Sequence, residues 1–141
     1  MKVSIRQEVF ETNSSSVHSC SICTESDYKK FRNGDIWYNE GDDVYLPKDE
    51  AIEFNLNYVR KECDDMTDEE FARFSEVYKE KENFEEAFEA IDWDSGEDFD
   101  PYDIYMSHDA FWDYHEYEDW IHSFKDTAGV KMIAWGYCGH D

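Results

Sequence analysis

Short alternating apolar runs dominate the first third of the chain, and apolar stripes at three- and four-residue spacing dominate most of the rest. Val3, Ile5, Val9 and Phe10 predict an opening strand and Val17 to Cys23 a second. Thr12-Asn13-Ser14-Ser15-Ser16 supplies the turn between them, because short hydroxyl and amide side chains bond nearby backbone. Thr24, three residues before Asp27, caps a helix over Glu25 to Arg32 that Asn33-Gly34 ends. Ile36-Trp37-Tyr38 and Val44-Tyr45-Leu46 predict a further hairpin around Asn39-Glu40-Gly41-Asp42-Asp43.

Beyond this point the helical period takes over. Ile52, Leu56 and Val59 share a face behind the helix start Asp49-Glu50-Ala51. Thr67 with Glu70 spells a capping box, followed by Phe71, Phe74 and Tyr78 on one stripe. Asn83 with Glu86 repeats the cap spacing ahead of Phe84, Phe88 and Ile91, so the chain kinks or restarts after Lys79-Glu80-Lys81-Glu82. Asp92 to Pro101 reads as an acidic loop. From Ser107 to Phe124, the positions Ala110, Tyr114, Tyr117, Ile121 and Phe124 predict one helix with those five side chains in the core. After a break at Thr127-Ala128-Gly129, the β-rich run Val130 to Trp135 predicts a last strand that joins the N-terminal sheet. The expected fold is α+β over a single domain spanning 1–141. A small antiparallel sheet, built from the N-terminal hairpins and the C-terminal strand, packs with three to four helices. Its N-terminal part is β-rich and charge-balanced; its C-terminal part is acidic and helical.

Composition narrows the possibilities. Rings make up 18% of the chain and hydrophobic residues 40%, too much apolar surface for a disordered segment. No stretch approaches the roughly 20 apolar residues of a bilayer span, and Met1 to Arg6 lacks the apolar run of an export signal, so a soluble cytoplasmic protein is expected. Against 36 Asp and Glu stand only 13 Lys and Arg, a formal charge of −23 that repels nucleic acids and anionic membranes alike. This excess is larger than the net charge of ~2–8 that keeps a small domain in solution. It is also unevenly placed: no Lys or Arg occurs between Lys81 and Lys125, while fifteen acids run from Glu82 to Asp119 among many rings.

Four candidate chemistries compete with a binding role. His18, Cys20 and Cys23 spell H-x-C-x-x-C, which matches zinc ligand types, but strand alternation puts Cys23 on the face opposite His18 and Cys20, and Cys63 and Cys138 are isolated. Ser14-Ser15-Ser16 beside His18 and Cys20 supplies a nucleophile and a base without a third group to orient them. His108, His115 and His122, spaced by seven, would line one face of the last predicted helix, where surrounding acids favour the imidazolium form. Asp92, Asp94, Glu97, Asp98, Asp100 and Asp103 offer oxygens for a divalent cation, yet Gly96 and Asp103 miss the loop positions that an EF-hand requires. No catalytic residue, metal or cofactor is assigned. The rival reading is a small metal-dependent or hydrolytic enzyme using His18 and Cys20.

The positive signal is the acidic surface itself. On a helix, carboxylates three or four residues apart lie roughly 5–6 Å from one another and present an anionic row to a basic channel. The expected partner-binding residues are Asp92, Asp94, Glu97, Asp98, Asp100 and Asp103 in the loop, with Asp109, Asp113, Glu116 and Asp119 on the last helix and Trp112 as an exposed aromatic anchor among them.

The string Glu11-Thr12-Asn13-Ser14-Ser15-Ser16-Val17-His18-Ser19 resembles the opening of small phage and prophage proteins that carry E-T-N-S-S-S-x-H-S. Cys23 to Gly34 and Ile133 to Asp141 are similar to the same group, and together these matches cover about a fifth of the chain, towards its ends. The resemblance implies an origin on a mobile element and carries no catalytic residue over. An acidic protein from such a source is similar in class to anti-CRISPR inhibitors. The implied partner is a basic nucleic-acid-binding protein, such as a CRISPR effector nuclease, whose nucleic-acid site would be occupied. The remaining alternative from this source is an acidic phage structural or assembly module.

Overall fold

A computed structural model describes residues 7–11, 16–93, 101–115 and 117–140. The fold is α+β, with five α-helices and two antiparallel sheets among these residues. Strands β1 (Gln7–Glu11), β2 (Ser16–Thr24), β6 (Glu118–Lys125) and β7 (Lys131–His140) form a sheet in the order β1-β2-β7-β6. Strands β3 (Ile36–Asn39), β4 (Val44–Pro47) and β5 (Tyr105–Met106) form a second sheet, ordered β4-β3-β5. The expected closing strand therefore does join the N-terminal hairpin, pairing Ser21 with Trp135 and Cys23 with Ile133. The hairpin β3-β4 closes a separate sheet with β5, a two-residue strand too short to carry a periodic signal.

Local chemistry accounts for most helix boundaries. Thr24 accepts from the Asp27 amide and starts α1 (Glu25–Arg32). α2 (Lys48–Glu62) follows Pro47 directly and buries Ala51, Ile52, Asn55, Leu56 and Val59. α3 (Asp68–Lys81) opens on the Thr67–Glu70 capping box, with both reciprocal hydrogen bonds made. Glu82 then turns left-handed at φ 55°, which stops the helix, and Asn83 caps α4 (Phe84–Ala90) through the Glu86 amide.

The predicted helix from Ser107 to Phe124 is two elements. Ser107 caps α5 (His108–Tyr114), but the helix ends at His115, whose backbone is extended, and Glu118 to Lys125 is the strand β6. The reason is nonlocal: β6 pairs with β7 in one unbroken register, Glu118 with Cys138 through Lys125 with Lys131. The turn between them is held by Asp126, whose carboxylate accepts from the Ala128 and Val130 amides, and by Gly129 at φ +80°. Two of the five side chains expected in the core, Tyr114 and Ile121, are each 53% exposed. The row of three histidines is split between α5, its C-cap and β6.

Two core clusters result. One gathers Ala51, Ile52, Leu56 and Val59 of α2 with Phe74, Tyr78, Ala87 and Phe88 of α3 and α4, over Trp37. The other gathers Tyr28 and Phe31 of α1, Tyr38, Phe111 of α5, and Cys23, Ile133, Trp135 and Tyr137 of the four-stranded sheet. Among the described residues, no helix is long and apolar enough to cross a membrane.

Candidate functional site

The restart between α3 and α4 and the short strand β5 jointly create a groove. Its floor is Trp37, Ile104, Tyr105 and Met106; one wall is the α3–α4 junction with Phe84 and Glu85; the other is α5, through Asp109, Ala110, Asp113 and Tyr114. The space is about 730 Å³ and open to solvent. Glu85, Asp109 and Asp113 are exposed on its rim. Glu82 is tied to Lys48, and Lys81 is the one base in the lining. The walls are rigid for identifiable reasons. Phe84 rests on Tyr78 at 4.5 Å between ring centroids, and Asn55 of α2 clamps β5 by donating to the Tyr105 carbonyl and accepting from the Tyr105 amide, each at 2.8 Å. The same Asn55 amide donates to the Tyr78 hydroxyl at 2.9 Å, so one side chain of α2 ties the β5 floor to the α3 side of the groove.

Exposed carboxylates beside the exposed ring of Tyr114 can receive a guanidinium or ammonium group. The acids supply charge-assisted hydrogen bonds, and the exposed face of Tyr114 supplies a cation–π surface. Asp109 and Asp113, both expected to bind a partner, meet here and face water as expected. Glu85 and Tyr114 complete the groove and were not expected there: Glu85 sat in the first turn of a helix, where acids usually complement the dipole, and Tyr114 fell on an apolar stripe.

The other expected residues lie elsewhere. Asp119 is on β6, where its charge acts on Tyr28 and His108, so the predicted row from Asp109 to Asp119 is interrupted. Trp112 is a correction: it is half-buried against Phe111 and Trp135, and its indole N–H donates to His108 Nε2 at 3.1 Å. It packs because α5 ends after seven residues and is pulled onto the sheet. Asp92 is exposed at the end of α4 with φ 53°, and Asp103 is exposed and accepts from the Tyr58 hydroxyl at 3.3 Å. Asp94, Glu97, Asp98, Asp100 and Glu116 lie outside the described residues.

His108 behaves opposite to expectation. Burial holds its pKa below the ordinary value, and the neighbouring Asp109 only partly opposes this. The hydrogen bond from Trp112 acts in the same direction as burial, because it occupies the Nε2 lone pair that a proton would need.

A second polar assembly lies inside the molecule. The turn between β3 and β4 sends Glu40 and Asp43 inward, both under 10% exposed. One Glu40 oxygen is 2.8 Å from His115 Nε2 and the other accepts from the Tyr137 hydroxyl at 2.7 Å. Asp43, left-handed at φ 54°, accepts from Ser21 and Tyr38 at 2.7 Å each, and the Trp135 indole donates to Tyr45 at 2.8 Å. Burial, helped by these carboxylates, raises the pKa of Tyr38 and Tyr137, and burial likewise raises that of Tyr45. The cavity beside this assembly holds about 10 Å³, room for a single water at most. Cys20, on its lining, is pushed up by burial and by Asp43, the wrong direction for an activated thiolate. Cys23 is fully buried on the other face of β2 from Cys20, as alternation requires, so His18, Cys20 and Cys23 do not converge. Among the described residues, no three His, Cys, Asp or Glu side chains gather as metal ligands do. Compared with protein-family models, with curated proteins and with solved structures, the chain matches none.

Proposed function

We propose that this chain is an acidic binding protein that occupies the basic nucleic-acid site of a partner, the mode of action of inhibitors carried by mobile elements against host defence nucleases. The observation that supports it is the groove, where the exposed acids Glu85, Asp109 and Asp113 stand around the exposed ring of Tyr114, over a floor in which Asn55 fixes Tyr105. An arginine from a nucleic-acid channel meets there paired anionic oxygens like those it otherwise finds on a phosphate backbone. The wider acidic surface contributes steering: residues 31–116 hold 28 acids against seven bases, which accelerates encounter with a positive channel. The resemblance of Glu11 to Ser19 to phage and prophage openings agrees with this class of role.

The test is a competition titration with a Cas9-type nuclease–guide complex as the probe. Adding the protein should displace target DNA in proportion to its concentration, and the effect should weaken as salt rises. Inhibition that leaves DNA binding intact, or that does not respond to salt, contradicts occupation of the nucleic-acid site.

A further inference from the structure

The two edges of the four-stranded sheet are unlike. β1 is five residues long, and its register shifts between Gln7 and Phe10, an irregularity of the kind that discourages further pairing. β6 is eight residues long, keeps one register throughout, and no described strand lies on its far side. Six of its eight side chains are exposed, Ile121 by 53%. A long regular edge of this sort is a template for another strand.

Charge and register identify that strand. The acid excess that covers residues 31–116 is absent here: from Glu118 to His140 there are three acids, Glu118, Asp119 and Asp126, and two bases, Lys125 and Lys131. A strongly basic strand finds no particular complement in such an edge, whereas β6 complements itself. When two copies of a strand pair antiparallel about a two-fold axis normal to the sheet, residues directly opposite must share a face. They are therefore an even number of positions apart, or identical. In the register centred on His122, Asp119 lies opposite Lys125 of the second copy and Trp120 opposite Phe124, each pair occurring twice, while Glu118 falls opposite Asp126, just past the end of β6, whose carboxylate is held by the Ala128 and Val130 amides of its own turn. The neighbouring register, centred on Ile121, loses both ion pairs. Opposite charges and aromatic pairs facing each other across strands are the contacts that stabilise a sheet.

We propose that β6 pairs with β6 of a second copy in the His122-centred register, making one continuous eight-stranded sheet. The groove lies on other elements, so this dimer is independent of the binding role proposed above. Its salt response is also of opposite sign: two chains of charge −23 repel, and screening helps them meet.

Sedimentation velocity on the full chain tests this. Dimerisation should strengthen between roughly 0.05 M and 0.5 M salt. Asp119→Lys and Lys125→Asp, both at exposed positions, should each weaken it about tenfold by placing like charges opposite one another twice. An equimolar mixture of the two variants should recover a dimer, since the heterodimer again sets Lys against Asp at both sites. A wild-type chain that stays monomeric at every salt concentration overturns the proposal. So does a dimer indifferent to both substitutions, or a mixture that fails to recover. Unchanged thermal midpoints of the single variants show that each still folds, and the wild-type salt series decides the matter if one does not.

Discussion

The four-stranded sheet and the helices α2 to α4 are stabilised by different means and carry very different charge. Around the helices the core is aromatic and aliphatic, with Asn55 buried among the rings, and nearly all the described acids stay on the surface. Behind the sheet, carboxylates go inside: Glu40 and Asp43 are buried against His115, Ser21, Tyr38 and Tyr137. The difference shows that the acid excess is not a general property of this surface. Where a carboxylate holds the fold it is buried and fully hydrogen-bonded, and where it is exposed in number it surrounds the groove or covers the helices.

Alkaline titration should act on both regions, because burial also raises Tyr78 and Tyr105 around the helices, but most strongly on the sheet core. Tyr38, Tyr45 and Tyr137 of the sheet core have pKa values raised by burial, so in the unfolded chain they ionise first as pH climbs past the ordinary value near 10. The folded state then binds more protons than the unfolded one and loses stability as pH rises, by about 1.4 kcal/mol per phenol per pH unit, or roughly 4 kcal/mol for the three. Absorbance of phenolate should lag behind that of free tyrosine and appear together with loss of near-ultraviolet dichroism. Tyr38→Phe with Tyr137→Phe should flatten the slope; an unchanged slope in that variant would place the alkaline transition elsewhere.

Replacing Asn55 by Ala attacks the helical region instead. It removes the partners of the Tyr105 amide and the Tyr78 hydroxyl, both inside the molecule. A loss of about 3 kcal/mol is expected in denaturant unfolding. Arginine-peptide binding in the groove should fall as well, because β5 is no longer clamped. Asn55→Ala with full stability and full binding would show that the groove is held some other way.

How much of this was legible in the sequence follows from how far each determinant reaches. Thr24, Thr67 and Asn83 act on amides three residues away, and those three helix starts were readable from them; Ser107 caps α5 by the same contact. The Ser107–Phe124 stripe misled because Ala110, Tyr114, Tyr117, Ile121 and Phe124 satisfy a helical period, while the choice was made by β7, beyond the Asp126–Gly129 turn. A hairpin signal was present in that turn and in the alternation of Trp120, His122 and Phe124. Asp109 and Asp113 were legible as exposed acids. That they share a groove with Glu85 was not, since it requires the pairing of Tyr105 with Asn39 across the chain. Glu40 and Asp43 looked like ordinary turn residues, because the partner of Glu40, His115, comes 75 residues later.

A smaller effect should appear on acidification. His108 has its folded pKa below the unfolded value near 6.5, so its full contribution to stability is present above that pH. As pH falls below about 6.5, the unfolded chain takes up the proton first and stability declines. His108→Gln, retaining an acceptor for Trp112, should show a shallower fall in Tm between pH 7 and pH 5. An identical pH dependence in the variant would remove His108 as its source.

The placed groove is best separated from bulk negative charge by comparing two charge reversals of equal size. One changes Glu85, Asp109 and Asp113 to Lys; the other changes Glu62, Asp64 and Asp65, exposed at the far end of α2, to Lys. Each should leave the fold intact, as surface substitutions move stability by only about 0.5 kcal/mol apiece. Affinity for a deca-arginine peptide, measured by calorimetry at fixed salt, should collapse in the groove variant and fall only modestly in the other. Equal losses in both would mean that net charge alone attracts the peptide and that the groove is not the binding site.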